Sequence, residues 1–514
     1  MIEENSRIQS QNQCFTVGCE KDLKHLMLNS LAIKVNCMVI GREEMQEIVR
    51  GYKEPVGLNL GSHSALDAWG GQRNYNLRSL IYTTPSRARI YLQNPMVGKP
   101  DEPIDDLPGL ARKNLRVIND LRDIKKNGDW KSVILILDRY SEIVKYVDEL
   151  IDLECLQIPN RAFSVYVGGD EYCSVIENKF AVPIVGSRTL LKIENRGEIE
   201  EDYYWFAEQA GIPYPKSYQY EVYEGGIRFN EPIDEPMLLK AEHAHRTFER
   251  EFIFAANSQH LEEKVAQEVE AQTLNREGLE NGRVEQIVLG PHANFNFFFS
   301  PLDAKSEWGD LDDWFAKLYN VNMEEARICL ANQFLSIDER RETILDGLKR
   351  LPTDVQQRLK KIPSFEVTAH AILSLRESLL KDVHRYADRF LLSCREHAYP
   401  GIVGAWCLQT LVTWDRISKY ELKPTVKLDF TSGGKAKTAA DYGVYDVPEE
   451  GDPYMHIPVT QDIALRHGGG TNVHMGIGSQ YANAKYKKPM SMGDRIALEI
   501  KRAWKTNQLH EIVT

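Results

Sequence analysis

The stretch from Asp462 to Asn472 joins a carboxylate (Asp462), a fixed cation (Arg466), three consecutive glycines (Gly468 to Gly470) and an amide (Asn472). Glycines allow a backbone to approach a phosphate closely. A guanidinium offers a planar fork, and an acid with an amide oxygen can hold Mg²⁺ against phosphate oxygens. The pattern suits a nucleoside-triphosphate site; the alternative is a Gly-rich surface turn. Three further segments carry compatible chemistry. Lys240 closes the apolar run Pro236-Met237-Leu238-Leu239, where it either snorkels to solvent or reaches the α- and β-phosphates of ATP. Glu285, Val288 and Leu289 form a segment that could pair an adenine edge through its backbone while the acid holds the ribose. Gln409 ends the apolar run Gly404-Ala405-Trp406-Cys407-Leu408 and either offers an oxygen to Mg²⁺ or is satisfied by backbone. Lysine, hinge acid, oxygen donor, then Asp462, Arg466 and Asn472 follow one another in that order.

Alternating strands and helices must position these groups. Arg42 to Arg50 is expected as a helix, Pro55 to Leu60 as a buried strand, and Ser79 to Thr83, Ser132 to Leu137, Leu156 to Pro159 and Ala181 to Val185 as further strands, with a helix over Tyr140 to Leu153. That alternation implies an α/β fold with an open parallel sheet, whose ligands bind beyond the carboxyl ends of strands. Gly61-Ser62-His63-Ser64 falls at such an end. Strands are expected at Met237 to Ala241, Glu251 to Phe254, Arg283 to Gly290 and Asn294 to Phe299. The last alternates amide with aromatic, so one of its faces is polar. Helix is expected over Ser258 to Asn275, over most of Trp314 to Leu351 and over Leu379 to His397, with strand from His370 to Leu375.

Composition bounds the class. The chain has 514 residues, 42% hydrophobic and 27% charged, which is ordinary for a globular protein of several domains. A net charge of −12 argues against a broad nucleic-acid surface. The longest apolar runs are too short to span a membrane, the polar N-terminus is unlike a signal peptide, and a cytoplasmic setting is expected. Eight cysteines without a CxxC pair indicate neither a zinc site nor a disulfide frame. Cys407 reads as a core thiol.

In collinear order over residues 42 to 514, the chain resembles the archaeal 5-formaminoimidazole-4-carboxamide ribonucleotide (FAICAR) synthetases of the ATP-grasp superfamily. The resemblance rests on Leu60-Gly61-Ser62-His63-Ser64-Ala65-Leu66, Val182-Pro183-Ile184-Val185-Gly186-Ser187-Arg188, Phe297-Phe298-Phe299-Ser300-Pro301, Leu375-Arg376-Glu377-Ser378-Leu379-Leu380, Gly470-Thr471-Asn472 and the tail from Pro489. It implies an ATP-grasp fold behind a Rossmann-like N-terminal domain. The expected divisions are an extension over 1–40, the α/β domain over 41–190, a lid over 191–290 and a C-terminal part over 291–514 interrupted by an insertion at about 415–458. The activity implied is ATP-dependent ligation of formate to the amine of aminoimidazole carboxamide ribonucleotide (AICAR) through an acyl phosphate. Magnesium, with manganese as a substitute, would serve as cofactor, and a homotrimer or homohexamer as assembly. By resemblance Ser62, His63, Ser64, Asn160 and Arg161 would meet the ribonucleotide. Lys240, Arg246, Glu285, Val288 and Asn472 would hold ATP, Gln409 and Asp462 the metal. Arg376 and Arg466 would act on the reacting anions.

Departures from the family touch the acceptor side. The lid loop from Ala241 to Arg250 lacks glycine, leaving His245, Arg246 and Arg250 as its charge. The substrate loop reads Pro159-Asn160-Arg161-Ala162-Phe163, with Ala162 where the family has Ser, and Ile344 replaces an Asn. Each lost hydrogen-bond partner would cost on the order of 1–3 kcal/mol of substrate binding. The alternatives are therefore a ligase with another acid or amine acceptor, or a nucleotide-binding paralogue without catalysis.

Overall fold

The computed structural model describes residues 39–99, 102–103, 105–168, 173–194, 199–242, 244, 250–359, 367–416, 454–469 and 490–514. Arg246, Asn472, residues 1–38 and most of the 415–458 segment lie outside these residues.

Five short strands build a parallel sheet: β1 (Val56–Leu60), β2 (Arg78–Thr83), β3 (Leu115–Ile118), β4 (Ser132–Ile136) and β5 (Cys155–Ile158), in the order β3-β4-β2-β1-β5. Every residue of β1 is buried, as a parallel strand covered on both faces requires, which explains its nearly unbroken apolar sequence. Tyr140–Tyr146 opens the expected helix as a tighter turn before Val147–Asp152 becomes α-helical. Ala181 to Val185 is not a strand of this sheet. Only single bridges form there, Ile184 with Gln157 and Val185 with Val513.

A second sheet follows from β6 (Ser217–Tyr218), a small hairpin β7 (Glu221–Tyr223) and β8 (Gly226–Arg228), then β9 (Met237–Glu242), β10 (Arg250–Ala255) and β11 (Arg283–Gln286). Its order is β10-β9-β11-β6. Met237, Leu239 and Ile253 meet Leu261 and Val265 of the helix Ser258–Glu270 in one apolar cluster.

The third sheet runs β14-β13-β12-β15-β16, all antiparallel: β12 (His292–Phe299), β13 (Asn332–Glu342), β14 (Val367–Ile372), β15 (Gly404–Arg416) and β16 (Tyr454–Ala464). Phe295, Phe297 and Trp406 pack against Val383, Tyr386 and Phe390 of the helix Glu377–His397. On the opposite face Phe298, Leu335 and Ala405 meet the helix Met492–Lys505. The helical expectation for Trp314 to Leu351 fails in its middle. Helices Asp310–Tyr319 and Met323–Leu330 end before β13, whose Leu335-Ser336-Ile337-Asp338 alternation is the period of a strand. The ends of the 415–458 segment are also strand, since Asp415 and Arg416 pair with Met455 and Tyr454.

The C-terminal helix ties the parallel sheet to this third sheet. Gly71 of the helix Ala65–Asn74 faces Gly493, and a Cβ on Gly71 would lie 2.1 Å from the Gly493 carbonyl oxygen, so only glycine allows this crossing. Buried Arg188 donates to the carbonyls of Ile176, Phe180, Val182 and Thr514, at 2.6–3.1 Å, clamping the tail beside β5.

Candidate functional site

One rung of the third sheet carries four polar side chains in consecutive strands. Asp338 on β13 is opposite Asn294 on β12, Asn294 opposite Gln409 on β15, and Gln409 opposite Asp462 on β16. Directly opposed residues bring their Cβ atoms within about 5 Å of one another. This is the polar face foreseen from the amide–aromatic alternation of β12. Between Gln409 and Thr410 the pairing with β16 skips Gln461, a bulge that turns both Gln461 and Asp462 toward a common cavity.

That cavity, of ≈ 440 Å³, lies between the second and third sheets. Lys240, Glu285, Val288, Gln409 and Asp462 all line it, and its size falls within the roughly 300–1,000 Å³ of small-molecule sites. Lys240 and Glu285 come from adjacent strands and are almost fully buried, with Nζ 2.5 Å from Oε2. The Tyr204 hydroxyl donates to the same carboxylate, Arg283 approaches it at 3.2 Å, and the Arg283 guanidinium lies 3.7 Å from the Tyr204 ring centroid. Val288 and the exposed Leu289 supply an apolar wall beyond the acid.

Toward the other end of the rung, Gln409 Oε1 is buried and, among the described residues, has no hydrogen-bond partner. The Asp462 carboxylate beside it accepts from the Ile463 amide at 2.8 Å and lies 3.7 Å from Arg340. An orphaned amide oxygen facing a carboxylate fits a hard divalent cation that takes its remaining ligands from phosphates and water. No group of three or more His, Cys, Asp or Glu that could hold a metal occurs among the described residues.

A second, more polar cavity of ≈ 180 Å³ lies between the third sheet and the loop that follows β1. His63, Asp338, His370 and Arg466 line it, and Arg340 and Gln409 line both cavities. His63 adopts a left-handed φ of 54° at the carboxyl end of β1. Burial within the protein, then the positive charge of Arg466, push its pKa down to about 3, so the ring is neutral near pH 7 and acts as a hydrogen-bonding group rather than a cation. Gly469 of the Gly-rich run comes close to both histidines: a Cβ there would lie 2.9 Å from His63 Cε1 and 3.6 Å from His370 Nε2. Arg466 and Arg161 both pair with Oε2 of buried Glu194 at 3.1 Å, which fixes two guanidinium groups beside the cavity. Opposite them, Asp338 takes hydrogen bonds from Asn294, Asn296 and His370. Burial opposes its ionisation, but these bonds outweigh burial and hold the carboxyl below its usual range.

Other expected contacts are not brought together. Asn160 is spent on structure: its amide donates to the Leu60 and Ser62 carbonyls and its oxygen caps the helix Arg161–Tyr166 at the Phe163 amide. Ser62 accepts from Arg87, and Ser64 donates to the His467 carbonyl. None of these three lines either cavity. Arg376 is exposed at the start of the helix Glu377–His397, 2.6 Å from His456 Nδ1 and outside both linings. Ala162 belongs to the apolar core of the parallel-sheet layer, so no hydroxyl is missing from the lining of the second cavity at that position. Cys407 borders the second cavity as a buried thiol whose pKa burial raises, consistent with a core role. Four residues of the site were not anticipated: Asp338, Arg340, His370 and Glu194. The alternation within β13 marked the first two. His370 opens a strand expected from the sequence but has no motif that marks a role, and Glu194 carries no sequence signal.

Two family models match the chain. One, a protein of unknown function (DUF1246), covers residues 58–218, and the other, a domain of unknown function (DUF1297), covers 260–429 and 454–514. A 5-formaminoimidazole-4-carboxamide-1-(beta)-D-ribofuranosyl 5'-monophosphate synthetase of Methanopyrus kandleri is 25% identical over 480 residues, 93% of this chain and all of the relative. The synthetase of the same name from Methanobrevibacter smithii is 27% identical over 74% of this chain and 82% of its own length. In three dimensions the chain resembles an IMP biosynthesis protein PurP from Thermococcus kodakaraensis, with a TM-score of 0.50 and 19% identity, over 89% of this chain and the whole of that one. No helix among the described residues is long and apolar enough to cross a membrane. The chain is thus similar along nearly its whole length to the archaeal FAICAR synthetases, and its α/β fold, parallel sheet included, is that of the PurP protein.

Proposed function

We propose that the protein is an ATP-dependent ligase that activates formate as an acyl phosphate and transfers the formyl group to the amine of AICAR, releasing ADP and phosphate. The observation that carries this reading is the meeting of two cavities at Arg340 and Gln409. The larger has the apolar wall, buried lysine and acid that suit a nucleoside triphosphate. The smaller has the arginine, neutral histidine and amides that suit a phosphorylated, hydrogen-bonding acceptor. A carboxylate is a poor electrophile until phosphorylated, and phosphoryl transfer is accelerated by positioning and charge neutralisation. The border between the cavities is where an acyl phosphate made from the first substrate can be met by the second.

Within that reading Lys240 neutralises ATP phosphates, Glu285 and Val288 receive the nucleoside, and Arg466 steadies the reacting anions with Arg161 behind it. Gln409 and Asp462 would hold Mg²⁺ or Mn²⁺, which supplies charge neutralisation to the transferring phosphoryl group. His63 would meet the ribonucleotide. Arg246 and Asn472 keep their proposed contacts with ATP on the family pattern alone. A homo-oligomer, trimer or hexamer, and a cytoplasmic setting belong to the same proposal.

Release of ADP, coupled to a spectrophotometric readout, tests the proposal directly. Turnover should require formate and AICAR together. ADP release with another acid or amine but not with this pair would move the acceptor. ATP binding without ADP release under any pairing would remove the catalytic reading altogether.

A further inference from the structure

Resting on that ligase reading, we propose that His370 is the general base of the transfer step, held in register by Asp338. Its imidazole lines the second cavity beside His63 and Gly469. On β14 it stands opposite Arg340, which borders both cavities, so it faces the acceptor side of their meeting point. Nδ1 lies 2.6 Å from Asp338 Oδ2. Asp338 is 1% exposed, with Asn294 donating to one carboxylate oxygen at 2.8 Å and Asn296 to the other at 2.7 Å. An anionic carboxylate so fixed can only accept, so Nδ1 carries the proton and the lone pair resides on Nε2. Nε2 is the atom next to Gly469, on the cavity side. The charged and titratable groups sharing this cavity are Asp338 and Arg340 on β13, the buried Cys407 thiol on β15, Arg466 after β16 and His63 after β1.

The chemistry calls for a base at this place. As the amine nitrogen attacks the acyl carbon, an N–C bond forms and the nitrogen becomes cationic. Without proton loss the nitrogen is the better leaving group and the adduct reverts. Nε2 of His370 takes that proton. The C–O bond to phosphate then breaks with its electron pair on the departing phosphate, and the proton passes from imidazolium to that phosphate or to solvent. Asp338 touches no substrate in this scheme and is a positioning residue. It fixes the tautomer and stabilises the imidazolium.

The test separates the two half-reactions. Formate-dependent positional isotope exchange in bridge-labelled ATP, measured without amine, reports acyl phosphate formation. Formylated product measured with amine reports transfer. His370→Ala and His370→Gln should keep the exchange rate and lose transfer by about 10²–10⁴-fold, with added imidazole restoring part of it in His370→Ala. Asp338→Asn should lower kcat/KM for the amine and displace the acid limb of its pH profile while leaving exchange intact. In the wild type that limb should follow a single ionisation, a measurement that needs no variant to fold. Wild-type transfer in folded His370 variants, an equal fall in both half-reactions, or a wild-type profile without an acid limb would overturn the assignment. A wild-type enzyme silent in both half-reactions would instead overturn the ligase reading, and the base with it.

Discussion

Replacing Gln409 by methionine should separate fold stability from metal-dependent nucleotide binding, because the two effects have opposite signs. Gln409 Oε1 is buried and, among the described residues, lacks a hydrogen-bond donor. An orphaned buried acceptor costs about 1–3 kcal/mol, and methionine has a similar length without that oxygen. Part of the residue remains accessible from the cavity, so the recoverable stability is nearer the lower end, about 1 kcal/mol. For a chain of this size that raises Tm by no more than about 2 °C. Affinity for Mg·ATP should move the other way. Loss of even an indirect metal contact weakens binding by about 10–100-fold, equivalent to about 1.4–2.7 kcal/mol. The assay is a pair of measurements on one preparation: thermal melting with chelator and no nucleotide, and calorimetric titration with ATP in the presence and absence of Mg²⁺. Gln409→Met should melt at or above the wild-type temperature, bind metal-free ATP as the wild type does, and bind Mg·ATP more weakly. A lower melting temperature combined with wild-type Mg·ATP affinity would refute the reasoning, since Gln409 would then be a satisfied structural amide.

Three further outcomes follow from the geometry. Gly469→Ala places a methyl group 2.9 Å from His63 Cε1, so kcat/KM for the amine should fall at least tenfold, on the order of 1.4 kcal/mol, with ATP affinity unchanged in calorimetry. His63 and His292 have pKa values pushed down from 6.5 to about 3 and about 4, in each case by burial first and then by neighbouring arginine. Between those values and 6.5 the unfolded chain binds more protons, so stability is intact above pH 6.5 and declines as pH falls toward 4. Urea unfolding across that range should show the decline, and His63→Gln should shallow it. Arg188→Met leaves four carbonyl groups that now accept from its guanidinium without that donor. It should cost about 3 kcal/mol or more, lowering Tm while the residual folded protein still binds Mg·ATP.

The legible parts of the sequence were those governed by local periodicity. β1, β2, β4, β9 and β12 are found within a residue or two of where apolar runs and alternation placed them. Lys240 and Gln409, which close apolar runs, line one cavity together with Glu285, Val288 and Asp462. What escaped depended on distant partners. Asn160 carries the polarity of a binding residue, but its hydrogen bonds go to carbonyls near the end of β1, a hundred residues away in sequence. Arg376 has the charge of an anion ligand and instead lies against His456. β13 falls within the stretch expected as helix, and its polar residues are buried or half-buried between β12 and β14. Glu194 matters only once Arg161 and Arg466 are brought to it from opposite sides.

Placing both cavities on one sheet rung has a mechanical consequence. Asp338, Asn294, Gln409 and Asp462 are fixed by backbone pairing, so their spacing does not depend on side-chain packing alone. Positions on strands hold reacting groups more accurately than positions on loops. The bulge at Gln461 lets the rung end on a carboxylate turned into the larger cavity. At the other end His370, held by Asp338, faces the smaller one. Arg340 stands between them, 3.7 Å from Asp462 and paired across the sheet with His370. A group transferred from one cavity to the other therefore crosses a boundary whose charge is carried by rigid strands. The Gly-rich run after Asp462 contributes differently: its described part brings Gly469 against His63 and seats His467 against Asp67 at 2.9 Å. Gly468 and Gly469 line the smaller cavity beside the loop that follows β1, so this part of the run serves the junction of the parallel sheet with the third sheet.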